Sequence, residues 1–381
     1  MQAPEAKYVR AIHRLRAGLP PYEAIRELTV YGDVAAQSLS KLFDNGEESG
    51  RSMLVLGAYG DGKSHYLNLL RELATESGYA SCVICADGWG TALNHPQRFL
   101  PILLSTIEIP GKRVRGFGDL LYEMLLTREG WRSLKQITAK HLPTERILDR
   151  EVRWAIDQLA SIVTGKPEET PEDYHYLAGI LVHHLTGESI RARAGRDVHG
   201  IVYSLLQVVH DLLLTAGARG IALLIDEAES IFTKLPSITS RKGAYRVLAE
   251  FCESPLLKFC RVAIGLTPDA HLWLKEELRE LLKLDEFSDS PPAKAWAISV
   301  TKGMIPRFEC PKLRESDQRE LLERIRRIHG DTYPEMAKQP GLNANWDRHL
   351  RRVLRRDVSL RIQVRSTIDC LDASGYGIAL P

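Results

Sequence analysis

Residues 53–64 read Met53-Leu54-Val55-Leu56 and then Gly57-Ala58-Tyr59-Gly60-Asp61-Gly62-Lys63-Ser64, with a helical stretch opening at His65. An apolar run, a glycine-rich turn and a helix in that order predict a strand, a phosphate-binding loop and a helix held rigid against the strand. Gly57, Gly60 and Gly62 let consecutive backbone N–H groups curl around a phosphate with no side chain in the way. Lys63 then reaches the β- and γ-phosphates as a point charge, and Ser64 offers a hydroxyl to Mg²⁺. The positive end of the following helix adds its dipole. Asp61, within the loop, and His65, just beyond it, complete the residues expected to contact a bound nucleoside triphosphate.

Holding phosphate does not activate water, so hydrolysis calls for an acidic element at the end of a second buried strand. Ile221-Ala222-Leu223-Leu224-Ile225 is an apolar run of the kind buried on both faces of a parallel sheet, and it ends in Asp226-Glu227. Asp226 is expected in the Mg²⁺ shell through water. Glu227 is expected as the base that orients and polarises the attacking water.

The chain has 381 residues, 44% of them hydrophobic, which gives room for one large α/β domain and a smaller one. A formal net charge of +2 gives no global argument for nucleic acid, although the part from Thr301 onward is distinctly basic. Cys82 and Cys85 form a CxxC inside a strand-like run with no second Cys or His pair at metal spacing, and read as buried small apolar residues. With no membrane-length apolar stretch and no signal-peptide pattern, the expected compartment is the cytoplasm, with no membrane partner.

Periodicity organises the rest. Helices are expected over 5–28, broken at Gly18-Leu19-Pro20-Pro21, and from Asp33 to Phe43. The helix after the loop should run to about Ser77, followed by the Cys-containing strand ending at Asp87. The acidic strand does not arrive until Ile221, whereas a crossover needs only about a dozen residues. The intervening segment therefore holds extra helices, with candidates at Phe117–Leu126, Glu145–Val163, Tyr174–Leu185 and Gly200–Leu214, and an exposed break near 165–171. Beyond Asp226 come a helix from Ala244 to Cys252, a strand Arg261–Leu266 ending in Thr267-Pro268, a helix from Asp269 to Leu282 and a last strand near Ala295–Val300. From Leu313 the pattern is helical, with segments Glu315–Ile328, Trp346–Leu354 and Ser359–Leu371.

The G-x-x-G-x-G-K-S loop, and the order strand, loop, helix, acidic strand, polar-ended strand and helical lid, resemble the AAA+ ATPases. More narrowly, Arg14-Leu15-Arg16-Ala17-Gly18-Leu19-Pro20-Pro21, the loop with its His65, and Leu224-Ile225-Asp226-Glu227-Ala228-Glu229 look like the ATP-binding proteins of BREX-type bacterial phage-defence systems, themselves similar to origin-recognition ATPases. The resemblance implies an α/β fold with a P-loop AAA+ parallel sheet flanked by helices: a helical segment over 1–45, the nucleotide-binding domain over 46–305 with an insertion at about 110–215, and a lid over 306–381. It implies ATP with Mg²⁺ as cofactors, ATPase activity, and assembly with copies of the chain or with other defence-system subunits, acting on DNA or on partner proteins. The competing expectation is a switch in which nucleotide moves the lid and insertion between two arrangements with negligible turnover.

Three further roles come from the resemblance alone. Thr267 falls where the family keeps a polar sensor of the γ-phosphate or attacking water, although a threonine ending a strand is also an ordinary β-former. Arg307 resembles the arginine projected into a neighbour's site, with Arg279 as the competing candidate. Arg361, at the opening of the last lid helix, matches the arginine that touches the γ-phosphate from above, with Arg365 as a substitute one turn on. Origin-recognition relatives append a DNA-binding winged helix, whereas this chain ends at Pro381 a few residues past its last lid helix, so DNA binding is not carried over. What remains for DNA is the basic lid surface of Arg324, Arg326, Arg327, Arg351, Arg352, Arg355 and Arg356, partly countered by Glu320, Glu323 and Asp357, which a solvated face or an acidic partner explains equally. Arg113-Val114-Arg115-Gly116-Phe117-Gly118 is either a second phosphate-contacting loop or a surface turn.

Overall fold

The computed structural model describes residues 5–44, 51–86, 93–112, 116–125, 127–142, 150, 152–158, 171–187, 198–340, 342–354 and 358–376. At its centre lie five parallel strands: β1 (Ser52–Leu56), β2 (Ala80–Cys85), β3 (Ile221–Asp226), β4 (Cys260–Leu266) and β5 (Arg307–Glu309). Their order across the sheet is β2-β3-β4-β1-β5. The loop-bearing strand β1 and the acidic strand β3 are therefore not neighbours. Strand β4 separates them, and all three end on the same edge, where Gly57 N–H donates to Leu266 O at 3.3 Å and Ala228 N–H to Gly265 O at 3.2 Å. An edge formed by the carboxyl ends of parallel strands is where an open α/β sheet leaves a crevice for a ligand.

Both faces of the sheet are covered, which is why its strands read as unbroken apolar runs rather than alternating ones. Leu54 and Leu56 of β1 pack into one core with helices of the 96–215 region and the helices Ile238–Glu253, Pro268–Lys283 and Pro291–Lys302. Met53 and Val55 point the other way, against the loop helix Lys63–Glu76 and the helix Gly32–Ser40. A third core lies apart from the sheet: Ile12, Leu15, Leu28 and Val30 pack with Leu322, Ile325, Trp346 and Ile368 of the C-terminal helices. The N-terminal segment expected over 1–45 is thus shared. Its first helix, Ala6–Arg16, belongs with the lid, and its later helix belongs with the sheet.

The expected strand near Ala295–Val300 is instead the helix Pro291–Lys302. Its buried residues Ala293, Trp296, Ala297 and Val300 recur at i, i+3, i+4 and i+7, with prolines in its first turn and Gly303 closing it at φ 70°. The last strand is β5, three residues long. The long crossover is helical as expected at Phe117–Leu125, Pro171–Leu185 and Val198–Thr215, and also at Pro96–Thr106 and Arg128–His141, which the reading of the sequence passed over. Of the helix expected over Glu145–Val163, residues 152–158 are helical and the ends lie outside the described residues, as do Asp87, Arg113 to Arg115 and the break over 165–170. Among the described residues no helix is long and apolar enough to cross a membrane.

Candidate functional site

A cavity of about 400 Å³ opens at the carboxyl edge of the sheet. The glycine-rich loop lines it from Tyr59 to Ser64, with Gly60 and Gly62 at φ 91° and 97°, a left-handed backbone that only glycine adopts freely. Close packing adds a second demand for glycine. A Cβ on Gly57 would stand 3.0 Å from Cys310 Sγ, and one on Gly60 would stand 3.2 Å from Cβ of Ser359 in the lid. Burial pushes the Cys310 thiol up to about 12, so it stays neutral beside the loop. Inside the loop, Asp61 Oδ2 accepts the Ala58 N–H at 2.8 Å and fixes the turn.

Lys63 is only 5% exposed. Its ammonium donates to Gly57 O at 3.1 Å and Ala58 O at 3.4 Å, and lies 3.5 Å from Glu229 Oε1. Ser64 and His65 follow at the helix start, and both line the cavity. Thr29 Oγ1 donates its one proton to Ile25 O at 2.7 Å, so at the 2.9 Å contact with His65 Nε2 it must accept. The imidazole is thereby held as the Nε2–H tautomer, and burial lowers its pKa to about 4.

Strand β3 delivers Asp226 and Glu227 to the same cavity. Asp226 Oδ1 accepts the Glu227 N–H at 2.9 Å, and Glu227 adopts φ 55°, a left-handed conformation that strains a residue with a Cβ. Ser64 and Asp226 both line the cavity, and a hydroxyl and a carboxylate are hard-oxygen donors of the kind Mg²⁺ takes, so their chemistry fits that cation. From the lid, Arg361 enters the cavity and donates to Tyr59 Oη at 3.0 Å. Arg365 is exposed one turn on and does not line it.

The opposite wall is apolar and comes from both chain ends: Leu15, Leu19 and Pro21 from the N-terminal segment, Leu321, Ile325 and Val364 from the lid. Tyr22 in that wall lies beneath the Arg14 guanidinium, 3.6 Å from the ring centroid. A large apolar surface continuous with a phosphate loop suits a flat aromatic group attached to a phosphate chain.

Of the expected residues, Gly57, Thr267, Arg307 and Arg279 do not line the cavity, whereas Cys85, expected to be buried at the end of its strand, is exposed in it. Thr267 follows β4 as foreseen, but its hydroxyl accepts the Ala270 N–H at 3.3 Å and caps the next helix. Arg307 is exposed on β5, in register with Leu54, and Arg279 is exposed on the helix Pro268–Lys283. On the lid, Arg324 donates to the carbonyls of Glu27 and Thr29, and Arg326 to Asn343 Oδ1 while lying over the Trp346 ring. Those two charges are engaged within the chain, whereas Arg327 and Arg351 are exposed; Arg355, Arg356 and Asp357 lie outside the described residues. The sequence assigned no role to Tyr59, Cys310 or Glu229. Their partners are distant in the chain, and the sole local hint was the repeated acid in Asp226-Glu227-Ala228-Glu229. Compared with family models, curated proteins and solved structures, the chain matches none.

Proposed function

We infer that this chain binds ATP with Mg²⁺ and hydrolyses it as an AAA+-type ATPase. The observation that carries the reading is convergence: the glycine loop with Lys63, the Asp226-Glu227 pair and Arg361 meet in one cavity from three separate parts of the chain. In this reading the loop N–H groups and Lys63 hold the β- and γ-phosphates, and Arg361 reaches the terminal phosphate from the lid. The apolar wall beside Tyr22 takes the base. Ser64 and Asp226 would hold Mg²⁺, which neutralises phosphate charge when bound. Glu227 takes the proton of the attacking water, and Arg307, exposed on β5, serves a neighbouring copy or partner subunit. The likeness of the loop and of Leu224–Glu229 to BREX-type proteins supports a phage-defence role, acting on DNA or partner proteins, with the exposed Arg327 and Arg351 available to phosphates.

One observation favours the alternative, a nucleotide-dependent switch with little turnover. The cavity lies between the sheet on one side and the joined N-terminal helix and lid on the other, so a ligand bridging them favours one arrangement of the two. Phosphate release by the wild-type chain with ATP and Mg²⁺, with and without double-stranded DNA and over a range of protein concentrations, decides between them. Release abolished in Glu227→Gln supports the ATPase. Tight ATP binding with no release under any condition supports the switch, and no binding overturns both.

A further inference from the structure

The left-handed turn at Glu227 swings the chain so that Glu229, two residues on, comes back behind the phosphate loop. Its neighbours are held on both sides, Ala228 N–H by Gly265 O at 3.2 Å and Ser230 Oγ by Ala86 O at 3.0 Å, which fixes the backbone that carries Glu229. Glu229 Oε1 stands 3.5 Å from the Lys63 ammonium, and Glu229 Oε2 is buried with no hydrogen-bond partner among the described residues. A nearly buried ammonium and a carboxylate 19% exposed would each be costly to leave unpaired. Yet the pair is loose, well beyond the roughly 2.8 Å of a charge-assisted hydrogen bond, while the ammonium's hydrogen bonds go to the Gly57 and Ala58 carbonyls.

We propose that Glu229 is the resident counter-ion of Lys63: it neutralises the ammonium while the site is empty and yields it to the phosphates of an incoming nucleotide. The proposal rests on the nucleotide-binding reading and adds a positioning residue to it. Glu229 competes with phosphate for one ammonium, so it keeps the empty loop stable and holds affinity down, which lets product leave. It differs in this from Glu227, whose loss stops turnover and leaves affinity in place.

The test is calorimetric titration of ATP and ADP into the full chain, together with melting of the nucleotide-free protein. Glu229→Gln is expected to bind both nucleotides about tenfold tighter, since one negative charge is removed beside the phosphates. The same variant melts at a lower temperature when empty. In a Lys63→Met background, Glu229→Gln is expected to leave the melting temperature of the empty protein nearly unchanged. A merely structural glutamate would lower stability without tightening affinity. Unchanged or weaker affinity in Glu229→Gln, or an equal loss of stability in the Lys63→Met background, overturns the proposal while leaving nucleotide binding intact. No binding by the wild type overturns both. If Glu229→Gln alone does not fold, recovery of folding in the Lys63→Met/Glu229→Gln double variant supports the pairing, and failure of both overturns it.

Discussion

Glu227 holds φ 55°, where a Cβ costs roughly 1 kcal/mol or more, and such strain persists where the surrounding structure fixes it for function. Here Asp226 Oδ1 takes the Glu227 N–H and Gly265 O takes the Ala228 N–H, so both flanks of the strained residue are held. Replacing Glu227 with Gln keeps the shape and one acceptor oxygen but removes the proposed base. ATP affinity within a factor of about two of wild type, with phosphate release down by about a hundredfold or more, is the expected result of binding and turnover assays. Lys63→Ala should behave differently and lose most ATP affinity in a direct binding assay, since in the proposed reading the buried ammonium is the charge that meets the phosphates. Unchanged affinity there would remove the phosphate-loop reading. The places of both residues in the fold were legible because their signal is local: glycines at fixed offsets, and acids directly after an apolar run. Cys310 against Gly57, Arg361 on Tyr59 and Glu229 behind Lys63 join residues far apart in sequence, and no spacing encodes them.

Among the elements, the buried strands β1 to β4 and most helices agreed with the sequence, whereas the three-residue β5 and the helices Pro96–Thr106, Arg128–His141 and Pro291–Lys302 were missed or misread. Ala295–Val300 is apolar enough for a strand, and only the wider window, with prolines at 291 and 292 and Gly303 after Lys302, identifies a helix. Pro96–Thr106 carries Pro101 in its interior, a local signal against the helix that tertiary burial of Phe99, Leu100, Leu103 and Leu104 overrides. The Gly303 cap offers a test at this scale. Its φ is 70°, and a Cβ added there would stand 2.7 Å from Arg307 Nη2, so Gly303→Ala both strains the cap and displaces that arginine. A loss of about 1 kcal/mol in chemical denaturation is expected, and no change would show that the cap relaxes freely. The lid helices carry a pH test as well. His349 Nε2 meets Thr367 Oγ1 at 2.9 Å between helices Leu342–Leu354 and Leu360–Gly375, and burial, aided by Arg352, lowers its pKa to about 4. With His65 also at about 4, both imidazoles stay neutral in the fold but protonate near 6.5 once unfolded. The unfolded chain therefore binds more protons between those values, and stability falls as pH drops from about 6.5 to about 4. Melting temperatures measured across that window should decline, and His349→Gln should flatten part of the decline.

At the scale of the whole molecule, the N-terminal helix is bound to the lid rather than to the sheet it precedes. Arg16 donates to both oxygens of Asp372 at 2.8 and 3.0 Å, and His329 reaches the same carboxylate at 2.9 Å. Burial alone would raise the Asp372 carboxyl, but the hydrogen bonds from Arg16 and His329 outweigh it and hold the group below its ordinary value. Arg16→Ala should cost about 1–2 kcal/mol, moderated by solvent on the arginine side, and weaken ATP binding because the apolar wall of the cavity is built from both segments. Normal affinity with lowered stability would mean that the wall does not contact the ligand. The sheet side raises the question of assembly. Arg307 is exposed, does not line the cavity of its own chain and sits on β5, which runs beside β1 rather than beside the acidic strand β3. If it completes a neighbour's site, the ATPase rate per chain should rise with protein concentration, and Arg307→Ala should bind ATP normally yet lose most turnover, since that charge is needed in the transition state. Mixing separates this from a local defect. A Glu227→Gln chain still presents Arg307 to a partner whose Glu227 is intact, so two variants that are each inactive alone should recover part of the activity together. Full activity of Arg307→Ala with loss in Arg279→Ala would transfer the role to Arg279, exposed on Pro268–Lys283. A rate independent of concentration, with neither arginine required, would make each chain a self-sufficient catalyst.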